Sequence, residues 1–257
     1  MRPRSLLALC TAALLFLLSC SPVPYTGRNR LLLTSEQQEV ALGLKAYPEL
    51  TKEYPEIKSG PQAAMVHRVL NRLAKEDPRQ YAWEVKLLDA PKIANAWALP
   101  GGKMAVYSGL LAMTKNEDGL AAVMGHEMGH AIARHSGERM SQEMATNAGL
   151  AVAAASLENS EYRDGIMAAM GVGLQFGIAL PYSRAHEYEA DEIGLILMTK
   201  AGYDPYESVR LWDRMAARAK SQPLQFFSTH PNSTNRARRL ESLIPKILAE
   251  YGPSSTH

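Results

Sequence analysis

The chain has 257 residues, 46% hydrophobic and 21% charged, with a formal charge of +2. That length and apolar content suit one domain with a sizeable core, and they exclude a disordered chain, a collagen-like repeat and a disulfide scaffold. So weak a charge excess gives no electrostatic footprint for nucleic acid, and none is expected as a partner.

The small basic excess sits at the start. Arg2 and Arg4 precede an apolar run from Leu6 to Leu18, and Met1 to Ser19 contains no acid. A basic head and a short apolar stretch read as a secretory signal over residues 1–19, because a membrane span needs about 20 apolar residues. Leu17-Leu18-Ser19-Cys20 resembles a lipobox, which makes Cys20 the expected lipidation site and the membrane a partner through its acyl chains. Ser21 follows in place of Asp, so the resemblance to Gram-negative lipoproteins implies a periplasmic protein on the inner leaflet of the outer membrane. Without Arg2 and Arg4, 26 basic residues face 26 acidic ones, and the domain is neutral.

Residues 20–34 contain Pro22, Pro24 and Gly27 and read as a lipidated tether. The domain is expected over 35–250, with a flexible tail at 251–257. Ser35 and Gln38 have capping-box spacing, and Val40, Leu42 and Leu44 begin an apolar face. Pro61 to Ala74 is a second helix, with Ala64, Met65, Val69, Leu70 and Leu73 apolar. Tyr81 to Leu88 alternates and reads as a strand. Asn95–Leu99 and Lys103–Tyr107 form a hairpin-like pair around Pro100-Gly101-Gly102. Leu110–Met113 is helical, and Asn116 caps a long helix from about Glu117 to His135. Met140–Leu157 and Ile166–Leu180, rich in Ala, Gly and Met, read as closely packed helices. Arg184–Lys200, Pro205–Lys220 and Asn232–Glu250 complete a mostly helical chain.

His126-Glu127-Met128-Gly129-His130 is the pattern HExxH. Residues four apart share a helix face, so His126 and His130 can present imidazole nitrogens to one zinc ion. Glu127 then stands beside the metal, placed to take a proton from bound water. The apolar turn Ala121–Met124 carries the motif into a core, where unpaired histidines would be costly. A catalytic zinc takes a third protein ligand and leaves the fourth position open. The best candidate is Glu187, in His186-Glu187-Tyr188-Glu189-Ala190-Asp191. Asp191, on the same face, would accept the second N–H of a zinc histidine. Glu189 points elsewhere and reads as structural.

HExxH, a distant E-x-E-A-D and a later His-Pro resemble the zinc metallopeptidases that include HtpX, the CAAX prenyl protease and the BepA, LoiP and Oma proteases. Similar too are Asn95-Ala96-Trp97-Ala98-Leu99-Pro100-Gly101-Gly102 and Val106–Leu111. The resemblance implies a gluzincin-type fold, α+β but mainly α, with a small antiparallel sheet edging the cleft. It implies one Zn2+ per chain and polypeptide substrates, with misfolded envelope proteins the expected class, in a compact periplasmic lipoprotein. Ser228-Thr229-His230-Pro231 followed by Arg236 matches the family's H-P-x-x-x-x-R. The resemblance makes His230 either an oxyanion stabiliser or a gate on the open zinc position, with Arg236 aiding the oxyanion. It makes Asn95 and Ala96 holders of the substrate backbone. A chaperone-like assembly factor with its site closed by His230 is the alternative. A purely structural zinc domain needs four protein ligands, and the lack of cysteines beyond Cys20 disfavours it.

Overall fold

The computed structural model describes residues 20–156, 182–221, 224–231 and 235–252. The expected leader, the helix at Ile166–Leu180 and the tail beyond 252 lie outside them. The chain divides into two units, residues 1–36 with 136–180, and 37–135 with 181–257.

In the first unit, β1 (Cys20–Pro22) pairs antiparallel with β2 (Asn29–Leu31). The segment expected as a tether is therefore a hairpin. Gly27 at φ 67° and Tyr25 at φ 68° turn the chain, and the Val23 amide closes the loop on the Arg28 carbonyl at 2.9 Å. Arg28 donates two hydrogen bonds to Glu138, at 2.9 and 2.7 Å, on α5 (His135–Ser156). Among the described residues no helix is long and apolar enough to cross a membrane.

The second unit carries the site. Its first helix, α1 (Glu36–Thr51), buries Glu39, Gly43, Tyr47 and Thr51, not the expected Val40–Leu42–Leu44 face. Leu42 and Leu44 are about half exposed, at 49% and 51%. Close approach decides the orientation: a Cβ on Gly43 would sit 2.3 Å from the Pro100 carbonyl oxygen, so the small residue faces inward. The next helix, α2 (Pro61–Ala74), has the expected bounds, opened by proline at its first position. It buries Ala63, Val66, Val69, Leu70 and Leu73, a stripe offset from the expected Ala64 and Met65.

Strands β3 (Glu84–Leu88), β4 (Ala96–Leu99) and β5 (Lys103–Tyr107) form one sheet in the order β3-β5-β4. β4 and β5 make the expected antiparallel hairpin, while β3 runs parallel to β5, so the sheet is mixed. Gly101 and Gly102, at φ 86° and 88°, supply the turn. Among the described residues β4 is an edge strand, paired on one side only.

Helix α3 (Ser108–Thr114) leads into α4 (Glu117–Ala133), whose residues from Gly119 to Ala133 are all buried. Asn116 caps it, its Oδ1 accepting from the Gly119 amide at 2.8 Å. It ends at Ala133, short of the expected His135, because Arg134 takes the left-handed conformation. Against α4 lies α6 (Arg184–Lys200), capped by Ser183, whose Oγ accepts from the His186 amide at 3.2 Å. The two helices approach to backbone contact. A Cβ on Gly194 would lie 2.7 Å from the His126 nitrogen and 2.8 Å from the Gly125 carbonyl carbon. Neither atom can yield without moving a helix. Alanine would gain about 1 kcal/mol of helix propensity, but overpacking costs about 1–3 kcal/mol. Gly194→Ala is expected to lose stability in denaturant unfolding and to weaken metal binding by spreading α4 from α6.

Helices α7 (Tyr206–Ala219), α8 (Phe226–Thr229) and α9 (Arg236–Tyr251) complete the unit. Glu207, buried on α7, accepts from Arg210 Nε at 2.5 Å and Arg214 Nη2 at 2.6 Å. Burial pushes its carboxyl up, but the two guanidinium groups outweigh this and hold it below the usual range. A depressed folded-state carboxyl adds stability that is present above the unfolded group's range and lost as pH falls through the folded one. Glu207→Gln should cost about 1–2 kcal/mol near neutral pH. The difference should shrink in acid, as read from urea unfolding midpoints against pH.

Candidate metal centre

Helix spacing places His126 and His130 one turn apart on α4, and α6 brings Glu187 opposite them. His126 Nε2 and His130 Nε2 are 3.1 Å apart. Glu187 Oε2 is 3.6 Å from the first, and its Oε1 is 3.4 Å from the second. His230, just beyond α8, places Nδ1 3.3 Å from His126 Nε2 and 3.1 Å from Glu187 Oε1. One ligand atom from each of these four residues lies within 4.8 Å of all the others, and all four residues are buried. Two imidazoles and a carboxylate converging this closely fit zinc, and His230 is a fourth candidate donor.

Electrostatics hold the set ready. Burial pushes Glu187 up, but hydrogen bonds to His130 and His230 and the nearby histidines outweigh it, so the carboxyl stays well below its usual range. His130 is driven well below its usual value by burial, which keeps the imidazole neutral as a ligand must be. Burial raises Glu127, opposed by His230 and His126. Glu127 is 2% exposed, its Oε1 makes no hydrogen bond among the described residues, and His230 Nε2 lies 3.4 Å from it.

The residues behind the ligands are ordered too. His126 Nδ1 lies 3.0 Å from Asp191 Oδ1, as the spacing on α6 predicts. Arg236, expected at the oxyanion, lies against the ligand helix and beside His126. Its Nε and Nη2 donate to Asp191 at 2.8 and 2.6 Å, its Nη1 lies 2.9 Å from Glu187 Oε2, and it stacks 3.9 Å over Trp212. Asp191 takes two of its three nitrogens, and Nη1, which makes no hydrogen bond among the described residues, stands beside Glu187, so Arg236 ties the ligand helix through two buried carboxylates. Burial lowers the guanidinium, and Asp191, Glu187 and Glu127 together outweigh this to raise it.

Sequence reasoning missed His135, whose Nδ1 is 2.9 Å from His130 Nδ1 and whose Nε2 is 2.9 Å from Glu189 Oε2. It also missed Tyr182, whose ring stacks on His130 at 3.9 Å. Neither belongs to a spaced motif. Asn95 is buried, with its Oδ1 accepting from the Ala96 amide at 3.0 Å, and Ala96 is buried at the start of edge strand β4.

A buried histidine pair on one helix, a carboxylate from a second and a buried glutamate next to the first histidine are the marks of a zinc metallopeptidase. The comparisons with known proteins narrow the class. The model of "Peptidase family M48" matches residues 61–244, and the chain belongs to that family. It is similar to "Mitochondrial metalloendopeptidase OMA1" of Schizosaccharomyces pombe, 39% identical over 242 residues, covering 91% of this chain and 69% of that protein. The protein of the same name in Saccharomyces cerevisiae is 30% identical over 255 residues, covering 90% of this chain and 71% of its own. "Metalloprotease YcaL" of Escherichia coli is 33% identical over 161 residues, 58% of each chain. The chain is a zinc metalloendopeptidase acting on polypeptides. The Gram-negative periplasmic location expected from Cys20 and Ser21 is corrected by these findings. Relatives from fungi, plants and animals that match the chain are named mitochondrial, so the lipobox-like segment does not carry that compartment.

Proposed function

We propose that His126, His130 and Glu187 hold the zinc and that the enzyme cleaves unfolded segments of misfolded proteins at a membrane. The carrying observation is the convergence of those three donors, with Glu127 beside them and edge strand β4 packed near α4. Bound zinc would supply Lewis-acid polarisation of the scissile carbonyl and a more acidic water. Glu127 takes the proton as the water attacks and returns it to the leaving amine. Asp191, held by Arg236, fixes His126 with its Nε2 lone pair free.

Asn95 and Ala96 open the outer edge of β4, where Asn95 Oδ1 holds the Ala96 amide and an extended peptide can add a strand by taking its place, reading shape more than sequence. A groove of about 550 Å³ lined by Ala94, Met113, Leu224 and Gln225 begins beside Asn95 and suits a substrate side chain. Recognition of main chain supports a role on unfolded polypeptides. Membrane attachment is proposed through acylation of Cys20, supported by the apolar run before it. Loss of labelled fatty acid in Cys20→Ser would bear this out, and equal labelling would refute it.

Casein cleavage by the purified chain tests the activity. It should stop with a chelator and return with Zn2+, and chelator-resistant cleavage would refute the zinc mechanism. A second reading rests on His230, whose Nδ1 stands among the donors: a gate that closes the site in a chaperone-like resting form. His230→Ala should speed casein cleavage if His230 is a gate and slow it if His230 stabilises the oxyanion.

A further inference from the structure

His135, Glu189, Arg134 and Glu39 are all buried, and the mechanism above uses none of them. In an unbroken helix His135 would project about 140° away from His130, since each residue turns about 100°. Arg134 removes that constraint. At φ 56° and ψ 40° it ends α4 and swings His135 back beneath His130. A bulky residue enters this region only when its surroundings hold it there. Here Glu39 of α1 holds it, accepting from Arg134 Nε at 3.0 Å and from Nη2 at 2.8 Å.

We propose that His135 and Glu189 are positioning residues that fix His130 as a zinc ligand, and that the Glu39–Arg134 pair sets the bend that makes this possible. The proton assignment follows from the carboxylate end. Glu189 Oε2, 2.9 Å away, accepts only, so His135 Nε2 carries a hydrogen. In neutral His135 the Nδ1 is then an acceptor, and His130 must donate from its own Nδ1 across 2.9 Å. His130 is left with a lone pair on Nε2, the atom that faces Glu187 and His126. The reverse assignment would set two lone pairs against each other at Glu189 and put a hydrogen on the ligand atom. Stacking holds the rings in plane, with His186 4.4 Å from His135 and Tyr182 3.9 Å from His130. Each zinc histidine thus has its own support: Asp191 and Arg236 behind His126, His135 and Glu189 behind His130.

This inference rests on the ligand set proposed above, and the experiment separates the two. Zn2+ affinity of the full chain is measured by chelator competition for wild type, His130→Ala, His135→Phe and Glu189→Gln. The visible spectrum of each Co2+-loaded protein is recorded, and far-UV circular dichroism reports folding. His135→Phe should bind Zn2+ about 10- to 100-fold more weakly than wild type, the usual effect of removing a ligand's outer partner. Glu189→Gln keeps shape and a carbonyl oxygen, so it should lose less, and its Co2+ bands should still shift as His130 loses its fixed orientation. A purely structural role would move stability and leave those bands alone. Wild-type affinity and unchanged bands in folded Glu189→Gln and His135→Phe would overturn the relay. If His135→Phe does not fold, Glu189→Gln decides. Wild-type affinity in His130→Ala would instead overturn the ligand set, and the relay with it.

Discussion

Glu127→Gln is expected to lose about 10²- to 10⁴-fold in kcat while holding as much zinc as the wild type, the range for removal of a positioned general base. The side chain is not among the converging donors, so metal content should not change. Its place beside His230 is buried, and glutamine fills the same volume there. Packing is therefore preserved and the difference falls on proton transfer: an amide oxygen cannot take the water's proton and return it to the amine. Peptide turnover and metal content, measured on one preparation free of other proteases, check both halves. Full turnover would remove Glu127 from the mechanism, and lost zinc would make it a structural element of the site.

The parts of this site that could be read from sequence are those that repeat with the helix. His126 with His130, and Glu187 with Asp191, are each four apart, and both helices form where periodicity and caps place them. The hairpin β4–β5 was equally legible, because Pro100-Gly101-Gly102 names its turn. What escaped depends on single departures from regularity. Arginine has no preference for the left-handed region, so nothing in Ala133-Arg134-His135 announces the bend, and Glu39 that stabilises it is 95 residues away. The α1 face was misjudged because contact at Gly43 outweighs the burial of two leucines. Spacing from His230 brings Arg236 to the site, but spacing carries no direction. Only the fold shows it bonded to Asp191 and paired with Glu187.

That finding yields the largest expected change in stability. Arg236 is 2% exposed and joins two buried carboxylates, so Arg236→Met should destabilise the metal-free protein by about 3–5 kcal/mol near neutral pH, the cost of leaving buried charge without its partner. The pH dependence follows from Asp191. Burial pushes that carboxyl up, and the charge and hydrogen bonds of Arg236 together with those of His126 outweigh it, holding the folded-state value below the usual range. Stability from such a group is present above the unfolded carboxyl's range and lost as pH falls through the folded value. Without Arg236, burial dominates and Asp191 takes up a proton at higher pH than in the unfolded chain. The variant's deficit should therefore be greatest near neutrality and narrow as the medium is acidified. Arg236→Lys restores a charge but not the two-pronged geometry, so it should recover only part of the loss. Urea unfolding of the three metal-free proteins from neutral to acid pH measures this. A deficit that does not change with pH would mean that Arg236 acts through its stacking on Trp212, 3.9 Å away, and not through the carboxylates.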